Sequence, residues 1–210
     1  FPTRRSSDLS LKEMEAARAQ AELRNLRNQI NPHFLLNTLN NIYALTAFDT
    51  AKAQEAIQEL SKMMRHILYD YQKPMIPLKE EIDFLENYVK LMRIRLPQSV
   101  EVTFNAVQPT GTVEVAPMIL ISLVENAFKH GTSPTEKSFV HINISTNGQQ
   151  LICDIQNSNN PKTASDHSGH GIGLQQVERR LQLAYPDRYT WEQGTRDNDK
   201  TYYSTITIQL

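Results

Sequence analysis

The sequence predicts an α+β protein in two parts, a helical hairpin followed by a mixed α/β sandwich, and three observations predict it. Residues 10–72 carry helical periodicity and no glycine. The segment Lys73-Pro-Met-Ile-Pro77 then interrupts the pattern, because proline breaks helices and restricts the residue before it. Beyond it, strands and helices interleave without a regular βαβ alternation, which suits a layered α+β sandwich. A chain of 210 residues has room for two such parts.

The elements follow in order. Residues 1–9 match no periodicity, and the chain does not begin with Met. They read as a non-native leader of the kind left by adapter read-through, and are set aside from the fold. Residues 10–29 are rich in Glu, Ala, Arg, Gln and Leu, a strongly helix-forming composition, with Leu23, Leu26 and Ile30 at the spacing of a helix-pairing seam. A second helix is expected over 34–48. A third is expected over 51–71, with Ile57, Leu60, Met64, Ile67 and Leu68 on one face. About sixty residues of hairpin bury little surface alone, so pairing with a second copy is expected.

In the second part, 78–96 forms an amphipathic helix carrying Leu85, Tyr88, Val89 and Met92, and 100–107 alternates as a strand. Pro117 suits the first turn of a helix running to about His130, with Gly131 as its cap. Strands at 139–145 and 151–156 flank Asn147-Gly148, a dipeptide that favours a tight hairpin. A polar stretch over 158–170 leads to a helix over 172–184 and strands near 189–192 and 202–209.

Composition narrows the function. Twenty-two Lys and Arg balance 23 Asp and Glu, so no basic footprint for nucleic acid exists in the total charge. A single cysteine, Cys153, excludes an internal disulfide framework and a Cys-rich zinc site. The longest apolar run, over 118–124, is far short of the roughly 20 residues that span a bilayer. Membrane attachment is therefore expected only through sequence upstream of this chain.

Three segments carry chemistry. In Asn-Pro-His-Phe-Leu-Leu-Asn-Thr-Leu-Asn at 31–40, Asn31-Pro32 either starts a helix or kinks a continuous one. At a helix start, His33 would meet free N–H groups and the positive dipole end, which keep its imidazole neutral and nucleophilic and favour a phosphoryl group on it. Asn37, four residues on, shares that face and offers an orienting amide. In Val-Glu-Asn-Ala-Phe-Lys-His-Gly at 124–131, Asn126 and Lys129 lie three apart, an amide oxygen for a metal and an ammonium for phosphates. Glu125 and His130 sit beside them. Third, Gly169, Gly171 and Gly173 place three of the chain's seven glycines within five residues, just before a helix start, where backbone N–H groups can approach phosphates. The pattern is not that of a P-loop. Taken singly, each segment also has an ordinary explanation: a capping motif, a polar helix end, a flexible loop.

In this order and spacing, the three segments resemble those of sensor histidine kinases of the LytS class, within the GHKL ATPase group. The 31–40 segment resembles the phosphoacceptor box and 124–131 the N box. Gly169 to Leu174, with Arg180-Leu181, resembles the G box, and Pro77 through Arg95 resembles the helix that opens the catalytic domain. The resemblance covers about 22–210. It implies a dimerising phosphoacceptor hairpin at 10–76 and a GHKL-type ATP-binding sandwich at 77–210. It further implies that His33 accepts the γ-phosphoryl of ATP, that Asn126 ligates Mg²⁺, and that Lys129 and His130 lie near the phosphates. The backbone at Gly169, Gly171, Gly173 and Leu174 would close over them as part of a lid. A response regulator would receive the phosphoryl group, and the chain would work on the cytoplasmic face as part of a bacterial inner-membrane protein. The sequence departs from the class at several places. Asn157 stands where the wider group has its adenine-reading acid, and Asn159 and Pro161 replace the usual glycines after it. Gln176 replaces the usual Asn, and no acid follows His33 to serve as general base. These departures define an alternative, a non-catalytic regulatory module of the same fold with weak nucleotide binding.

Overall fold

The structure, a computed structural model, describes residues 32–65, 73–107, 111–159 and 172–210. The helix expected at 10–29 lies outside the described residues. Helix α1 (Pro32–Thr46) and helix α2 (Thr50–Arg65) form the hairpin. Asp49 caps α2: its Oδ1 accepts the Lys52 N–H at 3.0 Å, satisfying a donor that the helix itself cannot. The buried stripe of α2 is Ala53, Ala56, Leu60 and Met63. That corrects the expected face, since Ile57 is 49% exposed, Met64 is half-buried and only Leu60 is common to both; Ile67 and Leu68 lie outside the described residues. The reason is steric. α2 packs along the next helix, and small alanines at its contact face allow the two backbones to approach more closely than Ile57 would.

Strand β1 (Ile76–Pro77) pairs antiparallel with β3 (Glu114–Val115) and leads directly into α3 (Leu78–Arg95). α3 buries Leu78, Ile82, Phe84, Leu85, Tyr88, Val89 and Leu91. The main sheet contains β2 (Val100–Ala106), β4 (Ser138–Thr146), β5 (Gln150–Ser158), β6 (Tyr189–Arg196) and β7 (Thr201–Gln209). Its order is β2-β4-β5-β7-β6, with β2 parallel to β4 and every other pairing antiparallel. Alternate residues of the central strands are buried: Val140, Ile142 and Ile144; Leu151, Cys153 and Ile155; Ser204, Ile206 and Ile208. The register aligns them on one face, and there helix α4 (Ile121–Gly131) packs on β4 and β5. Helix α5 (Ile172–Ala184) buries Val177 and Leu181 in the same core and packs against α4. The fold class is thus α+β, as the sequence predicts, with one helical layer on a mixed sheet. The apolar cluster runs without a break from Ala56, Leu60 and Met63 of α2 into this layer.

Two local expectations are corrected. α4 starts at Ile121 and not at Pro117. Met118 has a left-handed backbone, φ 58°, which a helix cannot contain. Its N–H and C=O are taken up by side chains from two other helices, described below. Gly131 is also no C-terminal cap, because it lies inside α4 and the cap is Thr132, in extended conformation. Its small size serves another purpose.

Candidate functional site

At the C-terminal end of α4, a Cβ on residue 131 would lie 2.5 Å from the Cβ of Asn157 and 3.0 Å from its Nδ2. No real side chain tolerates such an approach, so Gly131 is required for α4 to seat against the end of β5. Asn157 is buried at this contact and donates from Nδ2 to the Ser158 carbonyl at 2.9 Å, which fixes the amide's orientation. The neighbouring strand end is pinned as well. Asn159 donates its N–H to the Lys200 carbonyl at 2.7 Å and its Nδ2 to the Asp199 carbonyl at 2.8 Å.

One turn back along α4 stand Glu125 and Asn126, both half-buried, then exposed Lys129 and half-buried His130 in the last turn. Thr132 Oγ1 donates to the Phe128 carbonyl at 2.8 Å and closes the helix end. Burial pushes the Glu125 carboxyl up to about 7, against the opposing pull of the Arg180 charge. α5 brings Gly173 and Leu174 in its first turn, and Leu174 packs partly onto the core. Asn126, Lys129 and His130 therefore lie along the second half of α4, whose end meets β5 at the Gly131–Asn157 contact, with α5 packed alongside α4. Gly169 and Gly171 lie outside the described residues. His33 and Asn37 occupy the first turns of α1, one helical turn apart, and their side chains lie outside the described residues.

Sequence reasoning passed over the approach to α4. Glu81 of α3 is fully buried, and its carboxylate accepts the Met118 N–H at 2.9 Å and the Leu120 N–H at 3.3 Å. Burial pushes its carboxyl up to about 7 despite those hydrogen bonds and the nearby Arg180 charge. Arg180 of α5, also buried, donates from Nη1 to the Met118 carbonyl at 2.9 Å. The hydroxyl of Tyr185 accepts the Ala116 N–H at 2.7 Å. One signal was available: Glu81 falls three residues after Leu78 and four before Leu85, on the apolar stripe of α3. An acid on such a stripe marks a buried hydrogen-bonding role.

A sequence profile described as "Histidine kinase" matches residues 21–100. The sensor protein LytS of Oceanobacillus iheyensis is 31% identical over 189 residues, covering 83% of this chain and 32% of that protein. LytS proteins of Enterococcus faecalis and other bacteria align at similar identity. The chain belongs to the LytS class of histidine kinases. Another relative is the sensor histidine kinase BtsS of Escherichia coli, 30% identical over 93% of this chain and 34% of that protein. This LytS-class chain spans about a third of the length of the curated relatives it matches. Among solved structures, the histidine kinase domain of a blue-light-activated kinase from Erythrobacter litoralis is 18% identical, with a TM-score of 0.49 over 93% of this chain and 94% of that one. No helix among the described residues is long and apolar enough to cross a membrane.

Proposed function

We propose that this chain is the kinase core of a two-component sensor, which phosphorylates His33 from Mg–ATP and passes the group to an aspartate on a response regulator. The observation that carries the reading is the close seating at the end of α4, where Gly131 meets buried Asn157 on the helix that also bears Asn126 and Lys129. The donor set suits the group it would hold. Mg²⁺ takes few protein ligands and completes its shell with phosphates and water, so one amide oxygen, that of Asn126, is an adequate protein share. When bound, the ion neutralises phosphate charge. Lys129 adds a positive charge on the same helix face, and Asn157, neutral and held by Ser158, offers an amide to the purine edge. Phosphoryl transfer asks mainly for alignment and charge neutralisation, which these parts supply. A bond forms between a ring nitrogen of His33 and the γ-phosphorus as the bond to the bridging oxygen breaks, and ADP leaves.

In this reading residues 77–210 bind the nucleotide, and residues 10–76 carry the phosphoacceptor and pair with a second copy. Leu36, Leu39 and Tyr43 of α1 are 61%, 52% and 80% exposed, an apolar face that a partner would cover. The core works on the cytoplasmic face, joined to the membrane through sequence outside this chain. With radiolabelled ATP the wild-type chain takes up acid-labile label, and His33→Gln takes up none. Label surviving that substitution overturns the role of His33. Calorimetry with Mg–ATP analogues tests the nucleotide site: binding supports it, whereas none at millimolar nucleotide favours a regulatory module that uses the fold without catalysis.

A further inference from the structure

The segment between β3 and α4 is held in a way that core packing alone does not explain. Ala116, Met118 and Leu120 each give a backbone N–H to a side chain from a distant part of the chain: Tyr185 just after α5, Glu81 of α3, and Glu81 again. The Met118 carbonyl is taken by Arg180 of α5. The peptide units flanking one left-handed residue are thus held by a buried acid, at the Met118 N–H, and a buried arginine, at the Met118 carbonyl. A non-glycine residue at φ 58° costs free energy and persists only where its surroundings fix it. Burying charged groups is costly too, and apolar replacements of similar volume are often as stable or more so. Satisfying those buried backbone groups accounts for a hydrogen-bonding side chain at each position, but not for where the clamp sits, and its location asks for a further reason.

Position gives one. Leu120 is the N-cap of α4, so the clamp fixes where and at what rotation that helix begins. Asn126 follows only six residues later on a helix too short to bend appreciably. A shift of one residue at the start would turn Asn126 by about 100°. The same α5 that supplies Arg180 carries Gly173 about two turns earlier, so one clamp ties the helix of the metal-binding amide to the helix of the phosphate-side glycine. We propose that Arg180 and Glu81 are positioning residues of the nucleotide site, which act through the Met118 turn to set Asn126 and lock α4 to α5 in one frame.

This rests on the nucleotide reading above, and the test separates the two. ATP affinity of the full 210-residue chain is measured by calorimetry with Mg²⁺ and with chelator, for wild type, Arg180→Met, Arg180→Lys, Glu81→Gln and Tyr185→Phe. If wild type binds no nucleotide under either condition, the nucleotide reading falls, and the clamp's role with it. If wild type binds and gains affinity from Mg²⁺, the variants judge the clamp alone. Arg180→Met is expected to lose the Mg²⁺-dependent gain by ten- to a hundredfold, the usual effect of removing an outer support of a metal ligand. Its affinity in chelator should move by less than about threefold, which a general loosening of the domain would not spare. Glu81→Gln, keeping one carbonyl acceptor, is expected to lose part of the gain. Arg180→Lys, keeping a cationic donor, should recover part of the loss in Arg180→Met. Tyr185→Phe, which removes only the acceptor for Ala116, should lose least. A full Mg²⁺ gain in both Arg180→Met and Glu81→Gln overturns the proposal, as does an equal loss with and without Mg²⁺. Where Arg180→Met fails to fold by circular dichroism, Glu81→Gln and Arg180→Lys decide on the same readout.

Discussion

Helices α1 and α4 are both amphipathic, yet they meet opposite fates. α4 buries Ile121, Leu123, Val124, Ala127 and Phe128 against the sheet, and its start is gripped by Glu81. α1 leaves Leu36, Leu39 and Tyr43 largely in water while burying Ile42 and Thr38. The difference lies in what each helix faces. A five-stranded sheet offers α4 a continuous apolar surface, whereas α2 is a single helix and can cover only one side of α1. Among the described residues the α/β layer thus covers its own apolar faces, and the hairpin carries an exposed apolar surface that the proposed pairing with a second copy would use.

Breaking that surface should have the largest effect. Leu39→Asp with Tyr43→Asp removes two apolar side chains, each worth about 1.5–3 kcal/mol when buried, and a symmetric pair loses them twice. Sedimentation should show the dissociation constant of the dimer rising by at least about a thousandfold. Unchanged association would mean that this face is not the interface.

The interior of the α/β layer should respond to pH instead. Glu81 has its carboxyl raised from 4.5 to about 7, chiefly by burial, with Arg180, Tyr185 and Cys153 as its charged or titratable neighbours. A folded-state value above the unfolded one gives a contribution fully present below about 4.5 and lost as pH rises through about 7. The loss amounts to about 3 kcal/mol. Denaturant melts of wild type should weaken over that window, where buried Glu125 acts in the same direction, and Glu81→Gln should reduce the slope by the Glu81 share. An identical slope in both proteins would remove Glu81 as its source.

Gly131→Ala comes next. It forces a Cβ to within 2.5 Å of the Asn157 Cβ, an overpacking that costs about 1–3 kcal/mol and displaces the candidate adenine-side amide. Melting and nucleotide affinity should therefore fall together, and a full-strength site in Gly131→Ala would show that the close seating is dispensable. The smallest effect is expected at Ile57, half in water on α2. At concentrations below dimer dissociation, Ile57→Gln should change stability by no more than about 0.5 kcal/mol. A larger loss would place Ile57 in the core of a single chain.

Much of the α/β layer was legible because strand alternation is a local signal. Val140, Ile142 and Ile144 announce which face of β4 is buried without reference to any neighbour. The 172–184 helix was legible for the same kind of reason, with Val177 and Leu181 on its inner stripe. The start of α4 was not. Pro117 has a local preference for a first helical turn, but the hydrogen bonds of Met118 and Leu120 to Glu81, 37 and 39 residues away in sequence, win. The inner face of α2 was misread for a related reason. Helix-on-helix packing selects the small Ala53 and Ala56 over the larger Ile57, and hydrophobicity alone ranks them the other way.

At the candidate site the division is similar. Residue chemistry and spacing singled out Asn126, Lys129, His130 and the glycine cluster, because an amide and an ammonium three apart share a helix face wherever that helix is placed. That Gly131 is there to seat α4 on Asn157 was visible only in three dimensions, since the two are 26 residues apart and no local rule joins them. Local patterns along the chain carried the main helices and strands and the kinase class, though not the short β1–β3 pair or the start of α4. Tertiary structure alone decided which peptide groups the buried Glu81 and Arg180 hold, where α4 begins, and so where Asn126 comes to rest. The physical reason is that periodicity is set by neighbours along the chain, whereas a left-handed turn and a buried charge are stable only with partners that folding brings from elsewhere.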